Sequence, residues 1–117
     1  MSSLAIFPAA SAASEWTPHP RFAGVAMQTL LPGALSGGTL SQHLVRVDPG
    51  CALETHVHPD QSELHLVLAG SAEAIVNGQS LAYRDGAVAA IPADTPHAVR
   101  AGAEGVLLLA TFSPAMA

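Results

Sequence analysis

Three histidines and one glutamate lie at spacings that could build a metal site: His56, His58, Glu63 and His97. His56 and His58 are two residues apart, so on a β-strand their side chains emerge on one face, about 6.6 Å apart along the chain. Both imidazoles could then reach one ion. The spacing therefore predicts that His56 and His58 share a strand and a metal ion.

Neighbouring and distant elements must deliver the other two candidate ligands. The segment Pro-Asp-Gln-Ser at 59–62 predicts a turn, after which Glu63 begins a strand and offers a carboxylate oxygen to the same ion. His97 follows the segment 91–96, in which proline and aspartate residues predict a turn between apolar strands. Only a fold that brings distant strands together, such as a barrel, lets His97 close the site.

This set of ligands favours one class of ion. Three neutral imidazoles and one carboxylate leave one or two open positions on a six-coordinate ion. Such mixed nitrogen and oxygen ligands suit one divalent transition metal (Fe, Mn, Ni, Co or Zn) rather than Mg or Ca. The four residues do not distinguish among these metals, and we expect metal availability to decide.

His65 lies two residues after Glu63. On one strand the two side chains share a face, so we expect His65 to project into the cavity. Two roles are open there, a hydrogen-bonding partner of the ligands or an acid–base group that faces the substrate, and a buried structural histidine is the alternative. Glu63 and His65 are the candidate catalytic residues, because either could move a proton in metal-assisted chemistry.

Four more polar residues could belong to the site or lie outside it. His43 precedes the ligand cluster, and both a pocket role and a structural role are open for it. Arg46 and Arg100 could hold a substrate carboxylate through paired hydrogen bonds, although Arg on an alternating strand usually faces solvent. His19, between two prolines, is interpreted as lying outside the site.

The composition limits the classes of protein and partner. The chain has 117 residues, enough for one domain, and half of them are hydrophobic, so we expect burial within the domain and in a homodimer. With a net charge of -5 and only four basic residues, the chain lacks the surface that nucleic acids and anionic membranes require. A small-molecule substrate is the expected partner. Without a basic leader and with a single cysteine, a cytoplasmic location is expected.

The order of apolar runs and turns predicts the architecture. Residues 1–21, rich in Ala, Ser and Pro, predict an extended N-terminal arm, followed by one domain over residues 22–117. In that domain, Val-, Leu- and Ile-rich runs alternate with turn residues, which is typical of an all-β barrel or sandwich without helices. Asn77-Gly78 predicts a two-residue hairpin turn. The predicted strands are 23–31, 39–47, 52–58, 63–69, 72–77, 80–84, 87–91, 96–101 and 105–112.

Two segments resemble the motifs of a known family. Residues 50–70, with the pattern Gly50-x5-His56-x-His58-x4-Glu63-x6-Gly70, match the first motif of the small single-domain cupins at every defining position. Residues 86–101 resemble the second motif, with the pattern Gly86-x5-Pro92-x-Asp94-x2-His97. The resemblance implies a double-stranded β-helix (jelly-roll) barrel in which the two motifs supply the four metal ligands.

The second motif departs from the family pattern at two positions. Asp94 and Ala101 stand where the family usually has Gly and Asn. Because Asp tolerates the left-handed backbone conformation, we expect the turn at Asp94 to survive. The departure at Ala101 leaves the ligands intact but does not support a specific subfamily.

An open, redox-capable ion in an apolar barrel could bind a chelating substrate beside O2. Many cupins that resemble this chain act in this way, as dioxygenases on enolates, diketones or phenols. We therefore expect a metal-dependent enzyme that acts on a small organic molecule, with a dioxygenase-type oxidoreductase favoured. Two alternatives stay open: an isomerase or lyase that uses the ion only as a Lewis acid, and a barrel that binds a small molecule without turnover.

Overall fold

A computed structural model describes residues 15–116, so residues 1–14 of the predicted arm lie outside the described part of the chain. Within residues 15–116, no helix is long and apolar enough to cross a membrane, and a short 3-10 helix spans Gly33–Ser36. The strands are β1 (Thr17–Pro18), β2 (Val25–Leu31), β3 (Ser41–Val47), β4 (Ala52–His56), β5 (Ser62–Val76), β6 (Gln79–Tyr83), β7 (Val88–Ile91) and β8 (His97–Ser113).

Two long strands, β5 and β8, connect the two layers of the fold. The first half of β5 pairs with β7 and with the second half of β8, and β3, β2 and β1 continue this layer. The second half of β5 pairs with β6 and with the first half of β8, which also pairs with β4. These pairs are all antiparallel, and apolar side chains from both layers form one core. The predicted all-β jelly-roll barrel is confirmed.

The long strands bend where the sequence predicted breaks. The predicted strands 63–69 and 72–77 fall on one strand, β5 (Ser62–Val76), and the predicted strands 96–101 and 105–112 fall on β8 (His97–Ser113), so the prediction of separate strands was wrong. The pairing of β5 with β8 shifts register beside Gly70, whose φ is 85°. A β-bulge of this kind bends a strand without ending it. A Cβ at position 70 would collide with the backbone of Gly105, so the bend requires glycine there.

Two predicted turns have the expected backbone conformation. Asn77 and Gly78 have φ values of 49° and 81°, and they turn β5 into β6, which confirms the predicted hairpin. Asp94 has a φ of 60°, so it adopts the left-handed conformation expected at this position of the second motif. Its backbone N–H donates to the carbonyl of His58 at 2.9 Å. The second motif is thereby tied to the loop that carries a candidate ligand.

Alternation along β5 separates the barrel interior from its outer face. Glu63, His65 and Val67 are buried, whereas Leu64 and Leu68 on the opposite face are 43% and 42% exposed. The interior of the barrel therefore receives both the apolar core and the candidate site. The exposed leucines are the kind of surface expected from the apolar composition. The homodimer expected from that composition stays a prediction.

Candidate metal centre

The fold brings the four predicted ligands together. One ligand atom from each of them lies within 4.8 Å of the others (His56, His58, Glu63 and His97). His56 ends β4 and His97 begins β8, where the two residues are paired across the strands and their ring centroids are 4.2 Å apart. Glu63 is the second residue of β5 and arrives from the other layer. The site therefore depends on the closure of the barrel, as the sequence predicted.

His58 reaches this cluster from a loop, not from the strand that carries His56. β4 ends at His56, so the prediction that both histidines share a strand was wrong. The residue before a proline is restricted to extended conformations, and Pro59 follows His58. The His58 carbonyl is bonded to the N–H of Asp94 and not to a strand partner. The rings of His56 and His58 still meet edge to face, with centroids 5.0 Å apart.

Backbone carbonyls set the tautomers of two of the histidines. The Nδ1–H of His56 donates to the carbonyl of Glu54 at 2.7 Å, and the Nδ1–H of His97 donates to the carbonyl of Thr95 at 2.8 Å. In the neutral rings, each Nε2 then carries the lone pair. A hydrogen bond of this kind from the other ring nitrogen is the usual support of a metal-bound histidine. His56 and His97 are thus prepared to offer Nε2.

Two buried polar atoms at the centre of the cluster have no hydrogen-bond partner among the described residues. These atoms are Oε1 of Glu63 and Nε2 of His97, which lie 3.0 Å apart without the alignment of a hydrogen bond. Nε2 of His58 is 3.7 Å from the same carboxylate oxygen. A buried polar atom without a partner costs about 1–3 kcal/mol. A cation between these atoms would remove that cost, so the residues fit a metal ion.

The electrostatics of the cluster favour an ionised glutamate and two neutral imidazoles. Burial alone would raise the pKa of Glu63, but the hydrogen bond from His65 and the proximity of His97 outweigh it and hold that pKa below its usual range. Burial lowers the pKa of His56 to about 4 and also lowers the pKa of His58. These protonation states are the ones that metal coordination requires.

His97 behaves differently in the metal-free protein. Burial would lower its pKa, but Glu63 and the Thr95 carbonyl outweigh burial and raise it above the usual value. Without an ion, His97 therefore tends to hold a proton beside the Glu63 carboxylate. A metal ion that binds Nε2 of His97 must displace that proton.

His65 contacts Glu63 inside the barrel, as its position on β5 predicted. Its side chain is 1% exposed, and its Nε2–H donates to Oε2 of Glu63 at 2.7 Å. On the other side, Nδ1 is 2.9 Å from the hydroxyl of Tyr83, whose pKa is raised to about 12 by burial and by the charge of Glu63. The protonated Tyr83 hydroxyl donates to Nδ1 in the neutral ring. His65 is placed as a partner of Glu63, and its catalytic role stays a prediction.

Tyr83 is a site residue that the sequence pattern did not identify. It ends β6, and its side chain is buried in the core beside His65. No spacing relation links positions 65 and 83, because their contact depends on how β6 pairs with the far half of β5. In the sequence, the only indication of a site role was a tyrosine at the end of a predicted strand, next to a predicted turn.

A pocket of about 260 Å³ lies against the candidate ligands. Two of its lining residues, His19 and Arg21, come from the segment between β1 and β2, so His19 lies at the pocket although it is not one of the clustered candidate ligands. β1 belongs to the predicted arm, yet it pairs with β2 of the same chain and fixes this segment at the pocket. The pocket is lined by His19, Arg21, Met27, Val45, Leu53, His56, Val57, His58, Glu63, Phe112 and Met116.

The other three candidates lie away from this pocket. His43 is buried, and its ring nitrogens are 3.2 Å from the Thr29 hydroxyl and 3.1 Å from the Ser41 hydroxyl. Of the two roles left open by the sequence, these contacts favour the structural one. Arg46 pairs with Asp48 at 3.8 Å and lies over the ring of Trp16. Arg100 is exposed on β8, and neither arginine lines the pocket. Their suggested role as anchors of a substrate carboxylate finds no support in this placement.

Comparisons with known proteins agree with this description. The cupin domain family matches residues 43–112. Among solved structures, the chain is similar to KdgF from Halomonas sp. (22% identity, TM-score 0.74, covering 86% of this chain and 87% of that one). It is also similar to a predicted oxalate decarboxylase from Thermotoga maritima (21% identity, TM-score 0.76, covering 86% and 91%). A cupin-2 domain protein from Rhodospirillum rubrum is 21% identical with a TM-score of 0.77, covering 97% and 75%.

The solved structures show the shared fold, and the family match adds the shared sequence pattern. A search of curated proteins found no match. The matched segment, residues 43–112, covers more than half of the chain and contains the four candidate ligands. The bend at Gly70, the turn at Asp94 and the clustered ligands are consistent with both motifs. The chain belongs to the cupin family.

Proposed function

We propose that this cupin is a mononuclear-metal enzyme that acts on a small organic molecule. The ion would be one divalent transition metal, held by His56, His58, Glu63 and His97. One observation carries the proposal: Oε1 of Glu63 and Nε2 of His97 are buried, adjacent and without hydrogen-bond partners among the described residues. Natural proteins rarely leave such atoms unsatisfied. The adjoining pocket gives a small molecule access to the same cluster.

The residues around the cluster would serve distinct parts of the chemistry. When bound, the ion supplies open coordination positions for substrate oxygen atoms and, if it is iron, a redox centre for O2. Val45, Leu53 and Phe112 line the pocket with apolar surface and exclude water from the reacting groups. His65 holds Oε2 of Glu63, which leaves Oε1 to face the ion. This arrangement supports a dioxygenase, in which both atoms of O2 enter the substrate.

A second candidate function is a non-redox lyase or isomerase. The observation that favours it is the hydrogen-bonded series Glu63, His65 and Tyr83, in which each neighbour is within 2.9 Å. Such a series could hold or move a proton while the ion polarises a carbonyl. The similarity to a predicted oxalate decarboxylase is consistent with chemistry of this kind. This candidate needs no oxidant.

Metal content and oxygen use test the proposal in that order. Protein purified without added metal should retain a transition ion, and less than about a tenth of an equivalent of any such ion would contradict it. The iron-loaded protein should then consume O2 with a member of a panel of diketones, phenols and enolisable acids. Turnover of the same panel without O2, by protein loaded with Mn, Ni, Co or Zn, would favour the lyase or isomerase. Binding without turnover under either condition would identify a small-molecule-binding cupin instead.

A further inference from the structure

Arg21 is a cationic side chain at the pocket, and it forms no ion pair with another residue of the described part of the chain. It lines the pocket together with His56, His58 and Glu63. Its guanidinium carbon lies 5.0 Å from the centroid of the Phe22 ring, a cation–π contact that leaves its N–H donors available. Within residues 15–116, no carboxylate pairs with Arg21, whereas Arg46 pairs with Asp48. Arg21 is therefore the free cation among the lining residues.

The backbone around Arg21 is held in place by His19. Nδ1 of His19 accepts hydrogen bonds from the backbone N–H groups of Arg21 at 3.1 Å and Phe22 at 3.3 Å. The His19 ring also stacks on the Phe22 ring, with centroids 4.6 Å apart and an angle of 19° between the planes. Phe22 in turn lies 6.3 Å from the His56 ring. The segment that carries Arg21 is thus packed against a candidate metal ligand.

The same contacts define what this side of the pocket offers a ligand. Because Nδ1 of His19 accepts two N–H groups, the proton of the neutral ring resides on Nε2, which is a donor. Arg21 offers only donors. The pocket lining also includes apolar side chains, among them Met27, Leu53 and Phe112. A ligand that fits must offer acceptor atoms to Arg21 and apolar atoms to these side chains.

The charge and the volume of the pocket restrict the class of ligand further. Among the described residues that line the pocket, Glu63 carries the only carboxylate. A bound divalent ion and Arg21 together outweigh its charge, so the pocket is net positive and favours an anion. Its volume of about 260 Å³ is below the roughly 300–1,000 Å³ of pockets for drug-sized ligands. A planar guanidinium fits a carboxylate through paired hydrogen bonds.

We propose that Arg21 makes this site selective for small carboxylic acids that carry a second oxygen donor, such as 2-oxo acids. The guanidinium holds the carboxylate at the outer side of the pocket, while the oxygen atoms of the acid reach the metal centre. This inference rests on the proposed metal-dependent function, and it adds the substrate class and the residue that selects it.

A matched pair of ligands tests the selectivity of the cobalt-loaded protein. The probes are 2-oxobutyrate and 2,3-pentanedione, which differ in whether a carboxylate or an acetyl group adjoins the ketone. Binding is followed through the visible absorption of Co(II), which responds to new ligands whether or not turnover occurs. We expect 2-oxobutyrate to bind more tightly, and Arg21→Gln to weaken it by about tenfold, with less than about a twofold change for 2,3-pentanedione.

Two further variants separate the role of Arg21 from overall charge and from folding. Arg100→Gln removes the same charge from an exposed position outside the pocket and should leave both affinities unchanged. Arg21→Lys should recover part of the affinity for 2-oxobutyrate, since it restores the charge without the paired donors. Equal weakening by Arg21→Gln and Arg100→Gln, or an unchanged 2-oxobutyrate affinity in Arg21→Gln, would overturn the inference while the metal site stands. Failure of the wild-type protein to retain cobalt or any other divalent transition ion would instead overturn the proposed function and this inference with it.

Discussion

Four histidines inside the barrel form two sets, the candidate ligands His56, His58 and His97 and, outside the cluster, His43 alone. One member of each set contacts the ring of Phe112. His43 lies edge-on to Phe112 with centroids 5.6 Å apart, and His58 lies edge-on to it at 5.0 Å. Burial lowers the pKa of both histidines. Position and burial therefore do not distinguish the metal-centre histidines from His43.

Their hydrogen bonds do distinguish them. Both ring nitrogens of His43 have a hydroxyl partner, Thr29 on one side and Ser41 on the other. His97 uses Nδ1 for the carbonyl of Thr95, and its Nε2 has no partner among the described residues. A histidine with both nitrogens satisfied has no lone pair to offer, whereas Nε2 of His97 faces the Glu63 carboxylate and becomes available to an ion once its proton is displaced. The partner of the second ring nitrogen, more than burial, separates a candidate ligand from a structural histidine.

Truncation of one histidine from each set gives the largest expected difference. His97→Ala should lower metal affinity by more than about 100-fold, because the loss of a ligand costs more than the loss of a residue that supports one. His43→Ala should leave metal affinity unchanged, although it also removes a buried ring. Metal content by elemental analysis and titration with Co(II) measure both, with circular dichroism to verify folding. Equal metal loss in the two variants would erase the distinction between the sets.

His65 shares one feature with each set. It contacts the candidate ligand Glu63, and both of its ring nitrogens have hydrogen-bond partners. His65→Ala should keep the ion yet weaken its binding by about 10- to 100-fold, the usual cost of removing the support of a ligand. The reason is that Oε2 of Glu63 loses the donor that orients the carboxylate. Competition with a metal chelator gives the affinity. A loss as complete as that in His97→Ala would mean that His65 coordinates the ion directly.

The sequence was sufficient to identify the four candidate ligands, because the spacing of three of them follows local rules and His97 follows a recognisable turn. His56, His58 and Glu63 lie within one segment of strand, loop and strand. The turns at residues 50 and 94 and the bend at residue 70 depend on backbone conformations that Gly or Asp can adopt. The same rules misplaced His58 on the strand. Alternation on a strand and an extended loop before proline both predict side chains close in space, so the error did not affect the cluster.

The rest of the site depends on pairings between distant segments, which local patterns do not encode. Arg21 reaches the pocket because β1 pairs with β2, and Tyr83 reaches His65 because β6 pairs with the far half of β5. The bend at Gly70 has the same origin, since glycine is equally typical of a turn and of a bulge. Register across the sheet, set by packing of the whole barrel, decides between these outcomes.

The pH dependence of metal affinity should reveal that the metal-centre histidines do not titrate alike. Affinity should fall as the pH falls, because protons compete for the ligand nitrogens. Since the pKa of His97 is raised above its usual value, its proton competes with the ion at a higher pH than the protons of His56 and His58 do, at a cost of about tenfold in affinity per pH unit once His97 is protonated. Burial lowers the pKa of His56 to about 4, so competition at His56 should steepen the fall only there.

Titrations with a competing chelator between about pH 4 and pH 8 measure this profile. The control is His43→Ala, which should follow the same curve as the wild-type protein because His43 does not contact the cluster. An affinity that is independent of pH would count against coordination by histidine. A profile altered by His43→Ala would show that the two sets are coupled through Phe112.

The smallest effects should come from removal of single hydroxyl groups, one beside each set. Tyr83→Phe removes the donor to Nδ1 of His65, and Thr29→Val removes the hydroxyl beside Nδ1 of His43. Each should lower the free energy of unfolding by about 1 kcal/mol, the net value of one hydrogen bond, as measured by urea denaturation. Only Tyr83→Phe should also weaken metal binding, by a few-fold. Tyr83 orients His65, which donates a hydrogen bond to Glu63, whereas His43 forms no hydrogen bond with a candidate ligand. If both variants weakened metal binding equally, the hydroxyl groups would act through barrel stability, and the Tyr83–His65–Glu63 series would have no separate role in the site.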